Sequence, residues 1–417
     1  MDLSRKDADI LRRLAEQQAE IAALPVQRET AELWRALNGL EAVRPLVWIN
    51  EIPWNEMNVD EELTLQTTDP WARELETGLR RLLYQWRHMP GDMVVEDSVP
   101  CPLVVHSTGF GITEDVDILR TDETSSVVSR HFHRQIVEPE DVSKIQMPRV
   151  TYDAEVTEAR YAAMCALFGD ILPVVRVGKK GIWFAPWDEL IRWWGVQDAM
   201  LDLALRPDMV NAVVSRLVDA YLCELEQWEA LNLLSRDDDN TRIGSGGYGY
   251  TDELPGEPYD PARVRPANMW GCATAQIFSG VSPEMHWEFA LRHEMRWLER
   301  WGLTYYGCCE PLDVKMGVLR RIPNLRKISM SPWVDPDRGA AQVGTDYVYS
   351  HKPSPAVMAE DTWRLGLARQ QLTHVLERTS GCHVEVIMKD ISTVRYQPQR
   401  LWEWEKMAME VVRAFSP

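Results

Sequence analysis

A (β/α)8 barrel with an N-terminal helical extension is the fold this sequence predicts, and three observations lead to it. Eight short runs rich in β-branched and aromatic residues alternate with stretches of helical periodicity: PLVWIN (45–50), PLVVHS (102–107), LPVVRV (172–177), NMWGCAT (268–274), LTYYGCC (303–309), KISMSPW (327–333), DYVYSHK (346–352) and HVEVIMK (383–389). Strand and helix units of this length imply parallel strands joined by helical crossovers. No Gly-rich dinucleotide fingerprint follows the first strand, which favours the barrel over an open doubly wound sheet. At 417 residues, one elaborated domain is as consistent with the length as two.

Residues 1–44 carry Leu11, Leu14 and Ile21, then Leu33, Leu37 and Leu40, near helical spacing, and read as a helical cap. The barrel then occupies 45–417. Pro45 opens the first strand, the loop EIPWNEM follows it, and a helix is expected over 71–88. HFHRQIVEPEDVSKIQMP (131–148) reads as strand, turn and short helix, and a long helical stretch covers about 188–233, with Pro207 opening its second part. The polar segment at about 235–266 is an insertion rich in Gly, Pro and Asp, expected to be functional or mobile. Within it, DDDN (237–240) reads as a solvated turn. GSGGYGY (244–250) lacks the Lys and the strand-to-helix context of a phosphate loop and reads as a lid. Beyond it, Ser282 and Pro283 supply the N-cap and first turn of the next helix.

The formal charge of −19 argues against nucleic acid or an anionic membrane as partner, since phosphate binding needs a basic face. No stretch reaches the length of a membrane span, and the charged N-terminus lacks the apolar core of a signal peptide. Seven cysteines, an odd number, do not suit a disulfide framework, so a cytoplasmic protein with reduced thiols is expected. Eighteen tryptophans are the compositional outlier. Trp193, Trp194, Trp287, Trp297 and Trp301 fall in helical stretches and suit packing. Trp48, Trp54, Trp183, Trp187, Trp270 and Trp333 fall beside strand ends, where they either pack or wall a pocket for a flat ligand.

In a barrel the carboxyl ends of the strands form the active face, and Glu51, His106, Cys272, Cys308, Cys309, Glu310, His351 and Asp390 gather at those ends. Adjacent residues of a strand face opposite ways, so Cys308 and Cys309 share a site only if the chain bends at Gly307 and Pro311. Thiolate plus carboxylate from Cys308, Cys309 and Glu310 is an acceptable zinc donor set; a buried structural pair is the other reading. Glu51, walled by Trp48 and Trp54, is expected to have a raised pKa and to donate a proton, or else to cap or pair structurally. His106 and His351 suit hydrogen bonds to a substrate or to their own surroundings, and Tyr306 stands beside the thiols as a further substrate contact. HFH (131–133) has a spacing that metals use, in a context that reads as surface or substrate loop.

Three segments, LIRWWGVQDAMLDLALRPDMVNAVV, SPEMHWEFALRHEMRWLERWGLTYYGCCEPL and DYVYSHKPSPA, taken in this order, resemble the uroporphyrinogen decarboxylase superfamily. The likeness is closest to its methylcobamide:coenzyme M and corrinoid-linked methyltransferase branch. Decarboxylases of that family carry an RQAGR segment after the first strand; here NEIPWNEM, with Asn50 and Glu51, stands in its place, so a tetrapyrrole rich in carboxylates would be repelled. The family's zinc methyltransferases use a His-x-Cys and a second Cys near the last strand. At those places this chain has YGCCE and MKDIST, without the His and without the last Cys. No Asp-x-His-x-x-Gly corrinoid motif occurs, so the resemblance implies that a corrinoid would arrive on a partner protein. What it implies is a corrinoid-dependent methyltransferase component acting on a small methylated substrate, with an aryl methyl ether as the candidate that the tryptophans favour. Glu51, His106 and Asp390 would be the catalytic residues, zinc the metal, held by Cys308, Cys309 and Glu310, and Trp48, Trp54, Trp187, Trp270, Tyr306, Trp333 and His351 the substrate contacts; a homodimer is the family expectation. A cofactor-independent decarboxylase or lyase with Asp390 or Glu51 as proton donor, and a non-catalytic small-molecule binding barrel, are the alternatives.

Overall fold

The computed structural model describes residues 3–415 apart from 121, 122, 126 and 258. Its strands are β1 (Leu46–Ile49), β2 (Val99–Pro102), β3 (Val105–Ser107), β4 (Val116–Leu119), β5 (Ser129–Phe132), β6 (Val150–Tyr152), β7 (Val174–Val177), β8 (Trp270–Ala273), β9 (Leu303–Tyr306), β10 (Leu325–Met330), β11 (Val348–His351) and β12 (His383–Met388). Six of them form one parallel sheet in the order β1-β12-β11-β10-β9-β8. This gives a mixed α/β fold in which helices such as Leu365–Arg378 and Gln399–Arg413 follow the strands.

All eight expected runs contain strand, but they do not share one sheet. β2 and β7 pair with each other in parallel, apart from the six, and β3 pairs antiparallel with β6. Pro100 and Pro102 have no N–H to donate, which suits β2 to a short ladder and not to the middle of a sheet. In both β2 and β7 only some residues are buried, whereas β1, β8, β9 and β11 are buried throughout. Continuous burial is what a parallel sheet covered on both faces requires.

One face of the sheet packs on helices. The other is covered by the segment expected to be a lid. Residues 245–250 are buried, and Tyr248 and Tyr250 pack with Trp34, Trp48, Val348 and Ile387. Asn38, at the end of the helix Pro25–Asn38, donates through Nδ2 to the carbonyls of Tyr248 (3.0 Å) and Tyr250 (2.7 Å). Trp270 Nε1 donates to the Gly249 carbonyl at 2.8 Å. The glycines are needed for close approach: a Cβ on Gly246 would stand 2.5 Å from Glu385 Oε1 and 2.6 Å from the Tyr305 ring, and one on Gly247 would meet the Trp34 ring. The DDDN turn is likewise not fully solvated, for Asp237 is buried and accepts from the Trp270 N–H at 2.9 Å. Gly247→Ala is expected to destabilise the protein by about 1–3 kcal/mol through overpacking, read as a lower urea midpoint at unchanged slope. An unchanged midpoint would show that the segment moves away from the sheet at no cost.

At Trp287–Leu291 a π-helical turn interrupts the helical run between Pro283–His286 and Arg292–Leu298. Ser282 caps that run as expected, its hydroxyl accepting from the Met285 N–H. No helix among the described residues is long and apolar enough to cross a membrane.

Candidate active site

Register brings the site together. Ile49 stands opposite Met388, so Glu51 and Asp390, each two residues further on, leave the sheet side by side at its carboxyl edge. Both take left-handed backbone conformations, φ +53° for Glu51 and +56° for Asp390. Such conformations cost energy in non-glycine residues and collect at functional positions. Glu51 Oε2 accepts from the Asp390 backbone N–H at 3.0 Å, and Oε1 pairs with Arg242 Nη1 at 2.7 Å. Lys389, 3% exposed at its side chain, donates to Asp390 Oδ2 and lies 3.8 Å from Glu51 Oε2 and 3.5 Å from Cys308 Sγ. Cys309 Sγ is 3.5 Å from Cys308 Sγ and 3.7 Å from Asp390 Oδ2.

Charge separates the two carboxyls. Burial works to raise the Glu51 pKa, but Lys389 and Arg242 outweigh it and hold it down to about 2. The raised pKa expected from Trp48 and Trp54 is therefore corrected: two cations decide it, and Glu51 is an anion at neutral pH. Asp390 moves the other way, raised by burial and by its neighbour Glu51 against the pull of Lys389. Two adjacent carboxyls with opposite shifts can divide the roles of anion and acid.

Below this edge the sheet face carries alternate polar residues. Lys352 Nζ donates to Tyr305 Oη (2.9 Å), to the Ser350 carbonyl (2.9 Å) and to Ser350 Oγ (2.5 Å), and burial pushes its pKa down to about 7. Ser245 Oγ lies 2.9 Å from Tyr305 Oη, and Lys327 pairs with Glu385 at 3.0 Å, both fully buried.

Of the residues singled out in the sequence, Glu51, Asp390, Cys308 and Cys309 meet in this cluster. Trp48 and Trp270 lie on the sheet face that carries Lys327 and Glu385: Trp48 packs on Tyr248 at 4.6 Å, and Lys327 Nζ lies 5.5 Å from the Trp270 ring. Trp48 Nε1 has no hydrogen-bond partner among the described residues. The structure does not bring the others into the cluster. His106 is exposed on the ribbon with β6. Trp54 packs edge-on to Tyr84 under Arg81. Trp187 is in the helical layer, donating to the Phe289 carbonyl. Trp333 is 76% exposed. His351 lines a cavity of about 260 Å³ with Leu372, Val375 and Trp404, one residue out of phase with Lys352. His131 and His133 stand on the β4–β5 hairpin, where His133 pairs with Asp117.

Tyr306 also turns away, because its neighbour Tyr305 takes the site side. Its hydroxyl donates to Glu294 Oε2 at 2.8 Å and lies 2.7 Å from His286 Nε2, whose Nδ1 is 3.0 Å from Lys315 Nζ. Burial raises Glu294 to about 8. A carboxyl raised above its unfolded value binds more protons when folded, so its contribution to stability falls as pH rises from about 4.5 to about 8. Glu294→Gln is expected to reduce the fall in urea midpoint across that window, and an identical pH profile in the variant would refute this assignment.

Lys352, Lys389 and Arg242 escaped the sequence reading. The signal for the lysines was legible: Glu385 and Lys389, Ser350 and Lys352, and Lys327, Ser329 and Ser331 are polar residues an even number of positions apart, in or just beyond the ends of β12, β11 and β10. Arg242, on an irregular segment, had none.

A zinc ion would need free donor atoms on Cys308, Cys309 and Glu310. Glu310 is fully buried and commits both oxygens inward, Oε1 accepting from Thr274 Oγ1 (3.0 Å) and the Ala275 N–H (3.3 Å), Oε2 from the Cys308 N–H (2.8 Å). The Lys389 ammonium sits against Cys308 Sγ, next to where a second cation would have to bind. Among the described residues no group of three or more His, Cys, Asp and Glu is placed to hold a metal ion. These residues do not suit zinc, and Glu310 positions the Cys308 loop.

No family model matches the sequence, and no curated protein matches it. Among solved structures, a methyltransferase from Methanosarcina mazei is similar to this chain, with a TM-score of 0.51 over 93% of this chain and 98% of that one at 10% sequence identity. At that identity the likeness is one of fold.

Proposed function

We propose that this protein is a methyltransferase component that takes a methyl group from a small methylated substrate and passes it to a corrinoid carried by a separate protein. The observation that carries the reading is the carboxyl pair at the sheet's carboxyl edge, with Asp390 raised beside an anionic Glu51. Methyl transfer from an oxygen or nitrogen leaves electron density on that atom, and a positioned acid lowers the barrier by protonating it. Asp390 holds that proton in this reading. Glu51, Arg242 and Lys389 fix its orientation, and Trp48, with its unpartnered Nε1, offers an apolar wall with one donor. The corrinoid, when its carrier docks, supplies the methyl-accepting nucleophile. The likeness in fold to a methyltransferase supports the reading, as does a six-stranded sheet that we take as the larger part of a (β/α)8 barrel.

A panel of aryl methyl ethers and methylamines, incubated with the protein and a reduced free corrinoid, tests this through the spectral change on cobalt methylation. Turnover of at least one substrate above the protein-free rate is expected; none across the panel would overturn the reading.

One observation favours a second reading. Arg242 Nε is buried without a partner among the described residues, beside Lys389, and such a pair of cations suits a substrate carboxylate. A decarboxylase or lyase would then release carbon dioxide from a carboxylic acid without any methyl acceptor, which a headspace measurement distinguishes.

A further inference from the structure

The chemistry proposed above leaves Cys308 and Cys309 unused, although the chain bends to bring them together. We propose that they are a modification site, closing into a reversible vicinal disulfide with hydrogen peroxide as oxidant.

Side chains of successive strand residues point to opposite faces. Here β9 ends at Tyr306, Gly307 takes φ +98°, and the two sulfurs that follow come to 3.5 Å. Glycine is required at the bend twice over, by its positive φ and because a Cβ would run into the Leu312 side chain and stand 3.1 Å from the Ser329 Cβ. The backbone of Cys308 is held at both ends, its N–H by Glu310 Oε2 at 2.8 Å and its carbonyl by Ser329 Oγ at 2.6 Å. Its sulfur is therefore fixed against the Lys389 ammonium, a neighbour that favours thiolate over thiol. Cys309 is the more exposed of the two and stands where a resolving thiol must stand.

The reaction balances with one peroxide. The Cys308 thiolate attacks one peroxide oxygen; an S–O bond forms, the O–O bond breaks, and hydroxide leaves. The Cys309 sulfur then attacks the sulfur of the Cys308 sulfenic acid; the S–S bond forms, the S–O bond breaks, and the second hydroxide leaves. The thiol proton of Cys309 and one proton from solvent convert the two hydroxides to water. Two sulfurs lose one electron each, and the peroxide gains both.

Adjacent Cα atoms lie closer than those of ordinary disulfides, so the ring is strained and a small thiol reopens it readily. Closure removes the thiolate from Lys389 and draws Cys309 from Asp390, so the site should lose its geometry while oxidised.

The thiol chemistry rests on the placement of the sulfurs alone; only the loss of activity rests on the methyl-transfer reading. The test uses the full-length protein, exposed to stoichiometric hydrogen peroxide, alkylated and cut with trypsin. Peptide 301–315 holds Cys308 and Cys309 and no other cysteine. It is expected to appear lighter by two hydrogens and unalkylated, and to recover two alkylations after dithiothreitol. In Cys309→Ser the same peptide should instead carry added oxygen on Cys308. Two alkylated thiols in peptide 301–315 after peroxide, in protein that retains its native circular dichroism, would overturn the proposal. So would a disulfide joining either residue to another cysteine. Disulfide formation in protein inactive towards every methylated substrate would count against the function and leave this inference standing.

Discussion

Lys327→Met is expected to destabilise the protein by about 3–5 kcal/mol, the cost of leaving one member of a buried ion pair alone. Lys327 and Glu385 are both fully buried, their charged atoms 3.0 Å apart. Burial acts to raise the Glu385 pKa, but Lys327 and Lys352 outweigh it, so the carboxyl stays ionised and needs a counter-charge. Lys327 Nζ also donates to the Tyr248 carbonyl at 3.0 Å, which ties the glycine segment to the sheet. The loss should appear as a lower denaturant midpoint, and adding Glu385→Gln should recover much of it. The amide still reaches Ser350 and the Gly247 N–H without needing a cation. A Lys327→Met midpoint equal to wild type, or a double variant no better than the single one, would show that the pair is not what holds this face together.

Asp390→Asn is expected to lower kcat for methyl transfer about 10²–10⁴-fold, the range for loss of a general acid. Its side chain is half exposed, so the amide fits without a packing cost. The discriminating readout is the leaving group. An aryl ether whose phenol is acidic needs little protonation, so the variant's deficit should shrink as the phenol pKa falls. A deficit independent of the leaving group would assign Asp390 a positioning role. Glu51→Gln offers the converse: with the anion gone, the pressure that raises Asp390 is reduced, and the alkaline limb of the pH–rate profile, where the acid loses its proton, should move to lower pH.

Local pattern predicted the strands because a buried parallel strand needs a short apolar run, whatever it later pairs with. β1 and β8 to β12 were all legible in this way. Pairing was not: PLVVHS, which contains β3, and LPVVRV, which contains β7, look like the other runs in sequence, yet β3 pairs antiparallel with β6 and β7 pairs with β2, apart from the six-stranded sheet. The glycine segment misled for a related reason, since glycine allows both a mobile lid and the close approach of backbone to Glu385, Tyr305 and Trp34.

The sequence by itself determined which residues end strands, and so placed Glu51, Cys308, Cys309 and Asp390 at one edge. Only the tertiary structure decided their chemistry. The pKa of a carboxyl depends on charges a few ångströms away, and the Arg242 that holds Glu51 down comes from a segment nearly 200 residues distant in the chain. The same holds for the thiols, whose metal reading gave way to the Lys389 ammonium that the fold sets against Cys308.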